Sequence, residues 1–346
     1  MRHERVADDP RGSRRRRTSR RVLAGLVLGL LALLVGGLAF EAASAASSVR
    51  RYPPPGDMHA VHGATLHLHC VGEGSPTVVL ESGAGAGSLV WAWVQPEVAR
   101  VTRVCSYDRA GFGWSGASRS GFDPERVVED LRALLTAAGE EGPFVLVGHS
   151  LGGHYNRMFT HAYPDVVVGV VLVDARHPAL AERMEGHEAW IDDGMRTVKV
   201  GLTLARFGVM RLLGDVFGAM DTLPDGVPEA MVATTMNPTH FRAQLDEMRH
   251  LAELDARAAV VDLGERPLVV LSAGLVADEG VDPVVWAALQ EDLATLSEES
   301  TTVFVAGADH LSIVTDERYA RIVSNAIRDL IHRIRDDGRP RADEPG

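Results

Sequence analysis

The chain has 346 residues, 46% of them apolar and 24% charged, the profile of a globular protein with a substantial core. Its formal charge of −12 is unevenly spread: residues 1–21 hold nine arginines against Glu4, Asp8 and Asp9, about +6, which leaves about −18 for the remainder. An acidic body repels phosphates, which excludes nucleic acid as a partner.

Val22–Phe40 is an uncharged run of 19 residues. As a helix rising about 1.5 Å per residue it spans roughly 28 Å, near the hydrocarbon thickness of a bilayer. Arg14 to Arg17, Arg20 and Arg21 precede it, so the positive-inside rule puts residues 1–21 in the cytoplasm and the body outside. A transmembrane anchor over 22–40 is therefore expected. The alternative is a secretory signal cleaved near Ala43-Ser44-Ala45, although the run exceeds the usual signal core of about 7–15 residues. Ser19-Arg20-Arg21 also resembles a twin-arginine export signal. Residues 1–21 read as disordered, and 41–56, with Pro53-Pro54-Pro55, as an extended linker. The folded body then covers 57–336, and 337–346 is a polar tail that frays.

Within the body, MHAVHG and ATLHLHCVG read as a hairpin at a sheet edge. Short apolar runs then alternate with helical stretches: TVVLESG (77–83), TRVCSYD (102–108), FVLVGHS (144–150), VVVGVVLVDA (166–175), PLVVLSAG (267–274) and TTVFVAG (301–307). Continuous rather than alternating apolar character marks parallel strands buried on both faces. Asp123 to Ala138 carries Val127, Val128, Leu131, Leu134 and Leu135 on one helical stripe. The pattern is that of an α/β fold with a mostly parallel sheet flanked by helices. Residues 179–262 break the rhythm with amphipathic helical stretches and read as a helical lid between strands six and seven.

The chemistry concentrates at Gly148-His149-Ser150-Leu151-Gly152-Gly153, between the strand FVLV and the helix HYNRMFTHAY. A serine hydroxyl needs exposure and a neighbouring base to act as a nucleophile. A sharp strand-to-helix turn provides the exposure, and glycines two before and two after the serine give neighbouring backbone room to approach.

With the loop Tyr107-Asp108-Arg109-Ala110-Gly111-Phe112-Gly113-Trp114-Ser115, this elbow makes residues 57–335 resemble the α/β-hydrolase superfamily, notably its esterase-like members with a YDRxGxGxS loop. The resemblance implies that His310, in GADHLSI after the last strand, is the base. His149, His154 and His177 are placed less well for that task. It implies an oxyanion hole formed by the Leu151 and Ala84 N–H groups, although Ser82-Gly83 stands where the family often has His-Gly. For the acid it leaves two positions open, Asp278 after strand seven and Asp174 after strand six, with Glu279 a third carboxylate nearby. Its strand order makes Cys70 and Cys105 neighbours, a possible disulfide in an exported protein.

The implied activity is a serine hydrolase acting on a small-molecule ester through an acyl-serine, with no metal or organic cofactor. Acyl transfer, cofactor-free perhydrolysis and a non-enzymatic, membrane-displayed binding domain are the alternatives. Epoxide hydrolases and dehalogenases of this superfamily carry aspartate at the elbow, where this chain has Ser150. His59, His62, His67 and His69 in the first hairpin read as polar strand faces rather than a metal site. Asp108 and Arg109 read as an ion pair buttressing the elbow.

Overall fold

The computed structural model describes residues 10–214, 221–275 and 280–338. Eight strands form one sheet in the order β1-β2-β4-β3-β5-β6-β7-β8. They are β1 (Asp57–Val61), β2 (Ala64–Val71), β3 (Thr77–Glu81), β4 (Val104–Tyr107), β5 (Phe144–His149), β6 (Val167–Val173), β7 (Leu268–Leu275) and β8 (Ser300–Asp309). β1 and β2 form the antiparallel hairpin, β2 runs antiparallel to β4, and the pairs from β4 to β8 are parallel.

Every residue of β3 and β5 is buried, as the unbroken apolar runs require. Successive side chains alternate between faces. Val79, Leu146, Leu172 and Val270 join one core, covered by the helices Pro124–Ala137 and Gly152–Ala162. Val78, Val145, Val171 and Val269 join the other, covered by Val94–Val98 and the long helix Glu317–Asp336. Asp123 caps the helix that follows it, accepting from the Glu125 and Arg126 N–H groups, with Pro124 at the first helical position. Cys70 and Cys105 are register partners across β2 and β4 and are joined as a disulfide.

Between β6 and β7 lie only helices among the described residues, chiefly His187–Arg206, Val227–Thr235, Pro238–Arg249 and Leu251–Ala259. They form the lid.

The N-terminus departs from the sequence reading. A single helix runs from Pro10 to Arg51, so 10–21 is not disordered and 41–51 is not linker. Alanines and serines from Ala42 to Ser48 contain no breaker, and the helix stops where Pro53 disfavours helical backbone at the residue before it. Within its Arg20–Arg51 part an 18-residue window reaches a mean hydropathy of 2.6, with none of that window buried. By length and composition it is sufficient to cross a membrane. Of the polar tail only Asp337 and Gly338 are described, and they close the last helix.

Candidate active site

β5 ends at His149 and a helix begins at Gly152, which leaves Ser150 on the turn between them. Its φ of +54° lies in the left-handed region, a strained conformation for a residue with a Cβ. The flanking glycines are required by contact. A Cβ on Gly148 would lie 2.6 Å from the Gly152 backbone, and one on Gly152 would lie 2.5 Å from Glu81 O.

His310, in the loop after β8, faces this serine with Nε2 2.8 Å from Ser150 Oγ. Its Nδ1 lies 2.6 Å from Asp174 Oδ2. With Nδ1–H donating to the carboxylate, Nε2 is free to accept the Ser150 hydroxyl proton. Asp174 Oδ1 accepts from the Ala273 N–H and from the Trp286 indole N–H, both at 2.9 Å. Burial works to raise the Asp174 pKa, but the His310, Ala273 and Trp286 hydrogen bonds hold it below the usual carboxylate range. The carboxylate therefore stays ionised beside the imidazole.

Sequence order left Asp174 and Asp278 open, and strand register places Asp174 at His310. β5 and β6 pair His149 with Val173, so the next residues, Ser150 and Asp174, emerge side by side. Backbone bonds lock the two ends: Ser150 N–H donates to Val173 O at 3.1 Å, and Arg176 N–H to Ser150 O at 3.0 Å. Asp278 and Glu279 lie outside the described residues.

The loop after β3 passes directly over Ser150. A Cβ on Gly83 would come 2.9 Å from Ser150 Cβ. Ala84 follows it, exposed, and Leu151 stands at the N-terminus of the elbow helix. Neither the Ala84 nor the Leu151 N–H donates to an acceptor among the described residues.

Arg109 holds this loop from beneath, donating to Ser82 O and Gly83 O, each at 2.8 Å. It also pairs with Glu81 at 2.6 Å and with Glu247 of the lid at 2.8 Å. Burial opposes the cation, but Glu247 and Glu81 carry its pKa well above the ordinary value. Glu247 Oε2 in turn accepts the Gly85 N–H at 3.2 Å. Asp108 and Arg109 are thus not paired with each other. Successive residues leaving β4 point to opposite sides, and Asp108 instead accepts from the Ser88 and Trp114 N–H groups and pairs with His67.

His67 with Asp108 and His62 with Asp130 form two separate pairs. His154 on the elbow helix meets Asp255 at 2.8 Å, and Asp255 also binds Arg176. His149 is a contributor that sequence reasoning missed. Its Nε2 donates to His310 O at 2.7 Å, which steadies the loop that carries His310. Burial lowers its pKa to about 3, so it is neutral. Trp286, which orients Asp174, was missed too, because nothing local to it in sequence points to an acid 112 positions away.

Beside Ala84, Gly85 and Leu311 opens a cavity of about 250 Å³ with apolar walls that include Val90, Met231, Val232 and Phe241.

A model of the Alpha/beta hydrolase family matches residues 78–324. The chain belongs to that family. Among curated proteins, the chain is 27% identical over 279 residues to the uncharacterized protein YqjL of Bacillus subtilis, covering 79% of this chain and 90% of that one. It spans half the length or less of seven further curated relatives. A mutant epoxide hydrolase of Vigna radiata superposes with a TM-score of 0.65 at 17% identity, over 80% of this chain and 98% of that one. A malate-bound esterase of Thermogutta terrifontis gives 0.53 at 21%, over 80% and 99%. At such identities the likeness establishes the fold. Family and fold together support a hydrolase acting on a small molecule.

Proposed function

We propose that the protein is a serine hydrolase that cleaves a carboxylic ester through an acyl-serine intermediate. The observation that carries this reading is His310, bonded on one side to Ser150 Oγ and on the other to Asp174. His310 Nε2 takes the Ser150 proton as Oγ attacks the ester carbonyl. Asp174 remains ionised and stabilises the imidazolium. The oxyanion settles against the Leu151 and Ala84 N–H groups, at the positive end of the elbow helix. Collapse of the tetrahedral intermediate expels the alcohol, which receives the proton from His310. Water then attacks the acyl-serine with His310 again as base, which regenerates Ser150. An alcohol or hydrogen peroxide in place of that water would give acyl transfer or perhydrolysis at the same site.

The epoxide hydrolases among the structural neighbours do not alter the reading, because the elbow residue here is a serine. Residues 22–40 anchor the protein in a membrane with the catalytic body on the outer side, in keeping with the arginines before the span and the disulfide beyond it.

Fluorophosphonate labelling is the direct test. Ser150 should be labelled, Ser150→Ala should not, and p-nitrophenyl esters should be hydrolysed. An unlabelled native protein would leave a binding domain on a hydrolase scaffold. For the anchor, the full-length chain should sediment with membranes and resist carbonate extraction, and a mature N-terminus near Ala46 would overturn it.

A further inference from the structure

The N-terminal helix outlasts its apolar run. Around and beyond Phe40 its buried and half-buried positions are Gly37, Glu41, Ser44, Ala45 and Ser48, the three-and-four spacing of a single helical face. That face rests on the lid. A Cβ on Gly37 would come 2.8 Å from Phe207 O, and one on Gly208 would come 2.4 Å from the Phe40 ring.

Arg211 of the lid grips the helix just past this contact. Its Nε and Nη2 donate to the two carboxylate oxygens of Glu41 at 2.8 and 3.0 Å, and its Nη1 donates to Ser48 Oγ at 3.1 Å. The two charged side chains are only 9% and 11% exposed. A fork of this kind fixes direction as well as distance. Arg211 Nη1 also donates to Ala233 O at 3.1 Å, in the lid helix Val227–Thr235. The inner side of that helix supplies Met231 and Val232 to the cavity, whose other walls are the Ala84–Gly85 loop over Ser150 and Leu311 beside the base. One arginine therefore joins the end of the membrane helix to a wall of the cavity bordered by the Ala84–Gly85 loop and Leu311.

We infer that the end of the membrane helix and this wall act as one unit, which presents the cavity to the bilayer surface, so that the ester it takes carries an acyl chain drawn from the membrane. The inference rests on the serine-hydrolase reading and on retention of the helix. The cavity walls are predominantly apolar, which suits an acyl chain. Leu212, next to the clamp, is 68% exposed, and Val200 of the lid is 59% exposed, apolar surface consistent with contact at a lipid interface. Glu41 directly follows the uncharged run, which puts the clamp at the level where the span leaves the hydrocarbon.

The test uses the full-length protein in phosphatidylcholine vesicles with two substrates, 4-methylumbelliferyl oleate dissolved in the bilayer and p-nitrophenyl acetate in water. Glu41→Gln and Arg211→Ala should lower kcat/KM for the vesicle ester by about tenfold or more. Acetate hydrolysis and the rate of fluorophosphonate labelling at Ser150 should stay within about twofold. Glu41→Gln, which keeps an acceptor for Arg211, carries the comparison if Arg211→Ala does not fold. Equal losses on both substrates, or no loss on either, would overturn the coupling. A native protein inert to both esters and to the probe would instead strike down the serine-hydrolase reading.

Discussion

Glu317–Asp336, on the sheet, and His187–Arg206, in the lid, are helices of 20 residues each, yet the first buries eight residues and the second three, one of them a glycine. The body helix presents Ile327, Leu330 and Ile331 to a core that already contains the strands. The lid helix has no sheet beneath it and leaves Trp190 and Val200 exposed. Leu251, Leu254 and Val261 at the lid's end join the body core, and elsewhere polar clamps tie the lid down: Glu247 on Arg109, Asp255 on His154 and Arg176, and Arg211 on Glu41. Dispersed apolar packing makes the body a rigid frame for Ser150, Asp174 and His310. Fewer buried apolar side chains on the His187–Arg206 helix make that part of the lid the region of lower local stability.

The largest expected effect lies wholly in the body. Ser150→Ala, His310→Ala and Asp174→Asn should each lower ester kcat by about 10⁴-fold or more without shifting the melting transition, because the three act as a unit. Asp278→Asn should retain most of the activity. Near-native turnover by Asp174→Asn would move the acid elsewhere, with Asp278 and then Glu279 next to test.

Next comes the joint between the two regions. Glu247→Ala leaves buried Arg109 with Glu81 as its remaining carboxylate and should cost about 3–5 kcal/mol in urea denaturation. Within each region, Ile327→Ala in the body should cost about 2–5 kcal/mol as a core truncation. Val198→Ala in the lid should cost less than half of that. Equal costs would erase the contrast between the two helices.

The pH dependence probes the same joint. Burial lowers the pKa of His154 and of His240 to about 4, whereas the unfolded chain takes up protons near pH 6.5. The stability each contributes is therefore fully present above about pH 6.5 and is lost as pH falls toward 4, by up to about 1.4 kcal/mol per pH unit for each histidine. Urea midpoints between pH 7 and 5 check this, and His240→Gln should flatten the slope.

The smallest effect concerns orientation of the acid. Trp286→Phe keeps the ring that packs edge-on to His310 but removes the indole donor to Asp174. A loss of about 1–2 kcal/mol of hydrogen bonding to a charged group predicts roughly a tenfold fall in kcat. The accompanying rise in the lower limb of the pH–rate profile separates this from a packing defect.

The strands were legible because burial on both faces writes itself into consecutive residues, as in TVVLE and VVGVVLV. The turn around Ser150 was legible for a related reason, since Gly148 and Gly152 answer contacts that any side chain would violate. The Asp108–Arg109 pairing was misread because adjacency in sequence at a strand end means opposite directions in space. The end of the N-terminal helix was misread because hydropathy reports the surrounding medium, whereas backbone conformation continues until Pro53 intervenes.

By itself the sequence determined the alternation of elements, the serine on its strained turn and a histidine after the last strand, all of them features whose causes lie within a few residues. Tertiary structure alone decided which carboxylate meets His310, which buried acids hold Arg109, and that Arg211 reaches back 170 residues to Glu41. These depend on strand register and on how helices lie across one another. Several acids of equal local character compete for each such partner, and only the packed chain brings one within hydrogen-bond reach.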